Sequence, residues 1–513
     1  MGKDSYHVEP VRSIGVFSAT AVSISLMIGS GIFSTPALVL NLVRVPLMVV
    51  IMYILGGLFS LGGAFAFIEL GIMYPENGGT LRYLAHSFQK PRLMISYLFS
   101  WSMIMLIAPA SSAANGPVFA QYWLYAIFGG PNMKNLYPKI FENIDWISRG
   151  IAFILILFLT TINMLSVKWS LRFINVLTVI KICVLTVICF TGILCLVGAI
   201  KFEKNNNWSN GFKGAESNLG AYASALNKVF FSYDGWSSIS YSVGEMINPA
   251  KKLPISATMA VLSVSLFYTL SVVSYFTVVP LEVVANAKEV LAAEFTSVIF
   301  GTITGRIVLP LFIGLSVVGS IAAEIFSIGR VVSSAAQLGF LPDGRAKLAT
   351  YHPKLKTPIR ALAFNFFLTT IFLFAPPPGD VFSLLVDFFQ YPTWMFYGLA
   401  AVGCVYLRFK YPNHPNRKYK AFLPLTICFI FVTCYMCVFP FFPFSKSDST
   451  YPYYLAPVLG ISSLIIGLIP FYLRMYWYAD KHNLDFTAWA KEDYSEMNNF
   501  SLTTIENVSF VTK

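Results

Sequence analysis

The chain has 513 residues, of which 56% are apolar and only 12% charged, and its mean hydropathy is +0.66. Soluble proteins carry about 25% charged residues, so this composition excludes an ordinary soluble domain. The formal net charge of +12 is spread along the chain rather than gathered in a basic domain, which disfavours nucleic-acid binding. The sequence therefore predicts a polytopic membrane protein.

Twelve apolar runs are long enough to cross a bilayer as helices, which takes about 20 residues. In chain order they cover 15–40, 46–70, 94–128, 148–166, 173–199, 221–246, 256–279, 307–328, 360–376, 380–407, 421–442 and 453–475. The polar leader before the first run is not followed by a signal-peptide cleavage pattern. We therefore predict an all-α polytopic membrane protein with a cytoplasmic tail over 1–12, twelve transmembrane helices over 13–476 and a second cytoplasmic tail over 477–513.

The positive charges indicate how these helices are oriented. With both termini in the cytoplasm, 24 of the 36 Lys and Arg residues fall in cytoplasmic segments and 10 in external loops, while Lys181 and Lys228 lie within spans. An excess of positive charge on the cytoplasmic side is typical of membrane proteins. The sequence thus predicts cytoplasmic termini and basic loops that face anionic lipid headgroups.

The first apolar run is interrupted by the stretch MIGSGIF, Met27 to Phe33. Each Gly costs a helix about 1 kcal/mol and adds no apolar surface. The sixth run has a matching interruption, because Asp234-Gly235 and several serines follow Phe231 in FFSYDGWSSISYSVGEMINP. Paired interruptions five helices apart point to a transporter site built on an inverted repeat.

Broken backbone at mid-membrane persists where it lines a cavity, because lipid cannot satisfy the freed N–H and C=O groups. Half-helix N-termini offer donors to a carboxylate, and exposed carbonyls accept from an ammonium group. An α-amino acid carries both groups. The alternative is that the glycines only allow close helix packing, but two paired interruptions, one of them with an acid, favour a binding site.

Longer motifs in the sequence go beyond the two interruptions. They are MIGSGIFSTP, FAFIELGIMYPENGGTLRYL, FFSYDGWSSISYSVGEMINPAKKLP, GRVVSSAAQLGFLP with HPKLKTP, and WMFYGLAAVGCVYLR. Together they resemble the amino acid/polyamine/organocation superfamily, most closely the L-type light subunits of heteromeric amino acid transporters. The resemblance covers about Ser13 to Tyr476. It implies a five-plus-five inverted repeat of helices, alternating access, and sodium-independent amino acid transport, commonly by exchange, at the plasma membrane.

The resemblance assigns substrate-binding roles to both interruptions. The unwound part of the first helix would hold the substrate carboxylate through its backbone, and it comprises Ile28, Gly29, Ser30, Gly31 and Ile32. A β-carbon at Gly31 would then enter the space of the carboxylate. In the sixth helix Phe231 would close over the substrate side chain as an aromatic gate, beside Ser232, Asp234 and Gly235.

Trp394 in the tenth helix matches an aromatic residue of the pocket wall in some family members. Without the family motif, both Phe231 and Trp394 would be interpreted as ordinary core residues, because 16% of the chain is aromatic.

Two charged side chains lie deep within predicted spans, where charges are costly and therefore suggest function. Lys181 matches a lysine that, in the resembling family, stands where sodium-coupled relatives bind sodium. It lies about nine residues, or roughly 14 Å, from the end of its helix, which disfavours snorkelling to the interface. Glu324 departs from the small polar residue of many relatives. The fold would bring it near Lys181, so we expect an ion pair, with proton exchange as the alternative.

Asp234 allows two hypotheses about the substrate. Family members that accept cationic amino acids can carry Asp at this position, where the carboxylate would pair with a guanidinium or ammonium group. Alternatively, Asp234 caps the second half of its broken helix. The sequence does not decide between these two roles.

The loop GGPNMKNLYPKIFENIDW between the third and fourth helices contains no Cys. Family members that are disulfide-linked to a glycoprotein have one there, so we expect no disulfide-linked heavy subunit, while a non-covalent partner stays open. The spans contain no metal-ligand cluster, nucleophile–base pair or cofactor motif, so we expect neither an enzyme nor a bound metal or cofactor. The sequence thus predicts a transporter of neutral and possibly cationic L-amino acids. The alternatives are a proton-coupled amine or polyamine transporter and a transport-inactive nutrient receptor.

Overall fold

The structure is a computed structural model that describes residues 12–128, 138, 142–200, 205–287, 291–301, 304–341, 347–375, 381–442 and 454–486. Residues 1–11 of the predicted N-terminal tail, most of the C-terminal tail and most of the cysteine-free loop between the third and fourth helices lie outside these residues. Helices dominate the described ranges, and two isolated β-bridges join Ile14 to Met246 and Asn77 to Ser242.

Helices occupy every predicted transmembrane position in the described ranges. Seven are long and apolar enough to cross a membrane alone: Pro46–Met73, Met94–Phe128, Ile144–Leu165, Val167–Leu196, Pro249–Val278, Leu309–Gln337 and Pro457–Lys481. The pair Val16–Met27 and Gly31–Val43 passes the same test together and bends by 42° at its break. The other four positions hold Leu219–Tyr233, Ile359–Phe374, Val381–Lys410 and Leu423–Val438. We number these helices span one to span twelve in chain order, and the predicted fold class is confirmed.

Span six differs from the prediction after its break. Its α-helix ends at Tyr233, and the chain continues through the short 3₁₀ turns Ser238–Tyr241 and Val243–Glu245 instead of a second α-helical half. Serine side chains that bond to nearby backbone compete with helix formation. Here the Ser240 hydroxyl donates to the Ser237 carbonyl at 2.6 Å. The serines that marked the interruption therefore also prevent the helix from resuming.

Three short helices between the spans were not predicted from the sequence. They are Thr80–Ser87, Leu281–Ala287 and Leu291–Phe300. A search for apolar runs of about 20 residues cannot detect elements of this length.

Three tyrosines support the broken part of span one from the interior of the bundle. Tyr53 of span two lies with its ring centroid 6.4 Å from that of Tyr233 in span six and 6.2 Å from that of Tyr268 in span seven. The rings of Tyr233 and Tyr268 are 5.0 Å apart. All three side chains are fully buried. This packing holds spans two, six and seven together behind the two breaks.

Candidate functional site

The break in span one presents unpaired hydrogen-bond donors. The first half-helix ends at Met27 and the second begins at Gly31. Within the described ranges, the N–H groups of Ser30, Gly31 and Ile32 have no acceptor, and the buried Ser30 hydroxyl has no partner. Free N–H groups at a helix N-terminus, together with the helix dipole, form a binding site for an anion. A carboxylate is the anion that an amino acid would place there.

The carbonyl groups on the other side of the break are already occupied by span eight. Ser316 and Ser320 lie one helical turn apart, so both face the same side of the helix. The Ser316 hydroxyl donates to the Ile28 carbonyl at 3.0 Å, and the Ser320 hydroxyl donates to the Ser25 carbonyl at 2.9 Å. The Ile28 side chain is fully buried, so its part in the site is that of its backbone.

Lys181 binds the same carbonyl groups. Its Nζ donates to the Ser25 and Ile28 carbonyls at 2.6 Å each and lies 3.0 Å from the Ser320 hydroxyl. These three contacts use all three N–H groups of the ammonium. The side chain is 1% exposed, so the charge is held entirely by span one and span eight.

The predicted ion pair between Lys181 and Glu324 is wrong. The Glu324 carboxylate instead accepts a hydrogen bond of 3.0 Å from the Ser112 hydroxyl of span three. No ion pair joins the two charges in the part of the chain that the structure describes. The break explains this outcome, because it frees carbonyl groups that satisfy the ammonium without a carboxylate.

The two breaks contact each other directly. The Tyr268 hydroxyl lies 2.6 Å from the Met27 carbonyl and 2.9 Å from the Ser232 carbonyl, so its single proton can serve either break. The Ser232 hydroxyl lies 2.7 Å from the hydroxyl of Thr35, which also bonds to the Gly31 carbonyl at 2.9 Å. Hydroxyl groups therefore link span one to span six at the depth of the breaks.

Gly31 faces span six rather than open space. A β-carbon at Gly31 would lie 2.8 Å from the Ser232 Cα. The expectation that this β-carbon would enter the carboxylate space is therefore wrong, because the glycine is required for close approach of the two spans. Gly29 faces span eight in the same way, with its virtual β-carbon 3.2 Å from the Ser320 hydroxyl. Ile32 is fully buried.

Asp234 ends the α-helix of span six and is partly exposed. Its carboxylate accepts from the N–H of Gly235 at 2.8 Å, and Gln390 and Tyr397 of span ten lie beside it. Gly235 has a φ of +111°, a conformation that favours glycine, and its virtual β-carbon would lie 2.7 Å from Leu26. Asp234 thus stabilises the local turn while part of its surface stays accessible.

The two predicted aromatic site residues have different surroundings. Phe231 is half-buried and packs against Ile107 and Ala110 of span three. Trp394 is 1% exposed, its ring centroid lies 4.4 Å from that of Phe230, and its indole N–H donates to Gln390 at 2.5 Å. Phe231 therefore reaches across from span six to span three, whereas Trp394 lies in the core against Phe230.

Accessible surface deep in the bundle indicates where a ligand can enter. Gly29, Ser111, Phe231, Asp234 and Glu324 are partly exposed, although most of their neighbours along the same spans are buried. These residues belong to spans one, three, six and eight. The Glu324 carboxyl group interacts with Ser111 and Ser112 of span three and with Asp234 of span six, so the partly exposed groups of spans three, six and eight lie near one another.

A buried ion pair joins the end of the span six region to span eight, and sequence reasoning missed it. Glu245, at the end of the span six region, binds Arg330 of span eight through two hydrogen bonds of 2.9 and 3.0 Å. Their exposed fractions are 2% and 1%. The Glu245 carbonyl also accepts from the N–H groups of Ser13 and Ile14, just before span one. These bonds therefore connect the start of span one, the end of the span six region and span eight.

A signal for some of the missed residues is present in the sequence. Ser316, Ser320 and Glu324 are spaced by four residues in an apolar helix, which places a polar stripe on one face. Tyr268 has no such signal, because nothing near it in the sequence indicates a break 241 residues away.

Two packed spans that are both interrupted, one of them with free N–H groups at its break, define a membrane transporter of the broken-helix class. A sequence profile described as amino acid permease matches residues 14–464. The chain belongs to this amino acid permease family, a family of transporters, and the family resemblance predicted from the sequence is confirmed.

Curated relatives cover most of the chain. The high-affinity methionine permease of Saccharomyces cerevisiae is 27% identical over 89% of this chain and 78% of its own length. The b(0,+)-type amino acid transporter 1 of Oryctolagus cuniculus is 30% identical over 78% of this chain and 76% of its own. The large neutral amino acids transporter small subunit 2 of the same species is 28% identical over 91% and 81%.

Proposed function

We propose that this protein transports L-amino acids by sodium-independent exchange through alternating access. The observation that carries the proposal is the group of free donors at Ser30, Gly31 and Ile32, together with the unpartnered hydroxyl of Ser30. Such donors fit the carboxylate that all α-amino acids share.

The substrate ammonium has a complementary site on span six. The α-helix Leu219–Tyr233 ends beside the break of span one, and the C-terminal end of a helix carries partial negative charge. Gly31 packs directly on Ser232, so the two charged helix ends are close enough to bind one small zwitterion. The breaks of spans one and six thus recognise the part of the substrate that does not vary.

The side chain of the substrate would lie beside the partly exposed residues of spans one, three, six and eight. Phe231 would cover it, and the carboxyl groups of Asp234 and Glu324 would contact it from spans six and eight. Neutral and cationic amino acids fit these surroundings, and Trp394 would support the neighbouring Phe230. We assign coupling and gating to Lys181 and Glu324, with the Ser320 hydroxyl as a contact of Lys181.

Sodium independence follows from Lys181. Its ammonium binds the Ser25 and Ile28 carbonyls, a pair of ligands that could otherwise coordinate a cation. A fixed positive charge at this place removes the need for a bound ion.

We place the protein in the plasma membrane with both termini in the cytoplasm, following the distribution of positive charge. One relative is named a small subunit, which implies a partner for that relative. For this chain we propose either no partner or a non-covalent one, because the loop between spans three and four contains no Cys.

The test is counter-exchange in proteoliposomes without sodium. Vesicles loaded with unlabelled leucine should take up labelled leucine or arginine several-fold faster than empty vesicles of the same composition. Uptake that requires an inward proton gradient and ignores internal amino acid would instead support a proton-coupled transporter. Absence of uptake for a full panel of amino acids, with binding retained, would support a receptor.

A further inference from the structure

A cavity of about 410 Å³ lies where the beginning of span three meets the ends of spans eight and twelve. Its volume is in the range of about 300–1,000 Å³ that is typical of small-molecule sites. The lining is apolar and aromatic, with Trp101 and Trp477 on two of the walls, and Arg474 contributes a permanent positive charge. None of the residues that line it belongs to the breaks of spans one and six.

Two π-helical turns, from two different spans, contribute residues to the lining of this cavity. Span three contains one at Met103–Ile107, and the other lies at Leu473–Tyr478 in span twelve. Ile104 and Met105 of the first turn and Leu473 and Arg474 of the second are lining residues. π-Helical turns are rare and occur often at functional sites, so two of them facing one cavity indicate a built site.

The cavity lies at the lipid-facing edge of the bundle. Trp477 is 56% exposed and Leu473 is 52% exposed, so the wall formed by span twelve is also part of the outer surface. Along span three the lining runs from Tyr97 to Met105, eight residues or about 12 Å of helix. The site therefore extends from the end of the span into the hydrocarbon region, as an acyl chain does.

Arg474 provides the polar end. Its Nε donates to the Gly339 carbonyl at 2.9 Å, and its guanidinium lies 4.4 Å from the centre of the Tyr478 ring. Within the described ranges its two terminal nitrogens have no hydrogen-bond partner. Lys481 follows Arg474 by seven residues, about two helical turns, and its ammonium lies 5.0 Å from the centre of the Trp477 ring. An arginine with free terminal nitrogens binds phosphate oxygens in bidentate geometry.

We propose that this cavity binds one anionic phospholipid of the leaflet in which span twelve ends. Arg474 binds the phosphate, and an acyl chain lies between the two π-helical turns. With the termini in the cytoplasm this is the inner leaflet, where anionic lipids are attracted by basic residues near helix ends.

Quenching of tryptophan fluorescence tests the proposal on the purified full chain in phosphatidylcholine-containing micelles. Phosphatidylglycerol brominated on one acyl chain should quench part of the fluorescence saturably, and brominated phosphatidylcholine should bind about five- to tenfold more weakly. Replacing both cavity tryptophans, W101F and W477F, should remove the saturable part. Arg474→Gln should weaken phosphatidylglycerol binding about five- to tenfold, and Arg474→Lys should restore most of it.

Arg172 provides the matched control, because its guanidinium stacks 5.4 Å from the ring of the exposed Trp169 at another helix end. Arg172→Gln should leave the saturable quenching unchanged. Equal affinity for the two lipids, or equal losses in Arg172→Gln and Arg474→Gln, would overturn the proposal. A chain shortened to end at Phe486 that binds phosphatidylglycerol more than tenfold tighter would overturn it too, since the C-terminal segment would then be the occupant. If Arg474→Gln does not fold, the lysine variant and the tryptophan variants carry the test.

Discussion

At the scale of single residues, Asp234 combines two roles that sequence reasoning treated as alternatives. Its carboxylate accepts from the N–H of Gly235 at 2.8 Å, which is a local turn-stabilising contact. Part of its surface is nevertheless accessible, at a depth where most neighbouring side chains are buried. An amide in place of the carboxylate separates the two roles, because it retains the hydrogen-bond acceptor and removes the charge.

Asp234→Asn should weaken transport of arginine about ten- to hundredfold and leave leucine transport within about twofold of the native rate. The basis is a charge-assisted hydrogen bond of roughly 1.5–3 kcal/mol to the substrate cation. Competition uptake of both substrates in one preparation measures the effect. Equal affinities for arginine in the native and Asn proteins would mean that Asp234 stabilises the turn and does not bind the substrate cation.

Lys181 can be tested by removing sodium and by removing its charge. Replacing sodium with choline should leave native uptake nearly unchanged. Lys181→Met should abolish uptake, because the Ser25 and Ile28 carbonyls would lose their charged donor in a buried site. Lys168→Met, which changes an exposed lysine at the start of the same span, is the control. A several-fold loss of native uptake in choline would contradict the assignment.

At the scale of helices, the sequence predicted where the spans and their breaks lie, but it did not predict which side chains pair between spans. The Gly-Ser-Gly stretch located the break in span one, since glycine content and lost apolar surface are local properties, but the second half-helix begins at Gly31, so Gly31 and Ile32 are helical rather than unwound. The partner of Lys181 was predicted incorrectly, because carbonyl groups freed by a break are invisible in residue identities. The pair Glu245–Arg330 was missed because its partners are 85 residues apart.

Gly31 allows the close approach of spans one and six, and an added methyl group should disturb it. Gly31→Ala should lower the free energy of unfolding by about 1–3 kcal/mol and reduce transport strongly, since overpacking shifts the backbone. Gly150→Ala in span four is the matched control, because no atom lies within 4 Å of its virtual β-carbon. Thermal unfolding of both variants in one detergent measures the difference. A Gly31 variant as stable and active as the Gly150 variant would contradict the packing argument.

The loop between spans ten and eleven should make stability depend on pH. Burial, together with the positive charges of Arg417 and His86, lowers the pKa of His414 from 6.5 to about 4. The unfolded chain therefore takes up a proton as the pH falls below about 6.5, while the folded chain does not until about 4. Stability should be full above about 6.5 and decrease as the pH falls toward 4. Unfolding midpoints of the native protein and of His414→Gln between pH 7 and 5 test this, and the variant should lose part of the decrease.

At the scale of the whole molecule, the bundle should function without a covalent partner. Cys183, Cys428 and Cys434 are the exposed cysteines of the described ranges, and all three lie within spans. The native protein should therefore migrate at the same mass with and without reducing agent. A higher band that contains a second polypeptide and disappears on reduction would contradict this expectation.

The buried pair of Glu245 and Arg330 has a consequence for the size of a cell's amino acid pool. A movement of span eight away from the end of the span six region requires these two charges to separate. Separation of a buried pair costs several kcal/mol, which a bound substrate can offset and an empty site cannot. We expect the unloaded protein to return across the membrane slowly. The pool would then change in composition while its total size is conserved, because each molecule that leaves must be matched by one that enters.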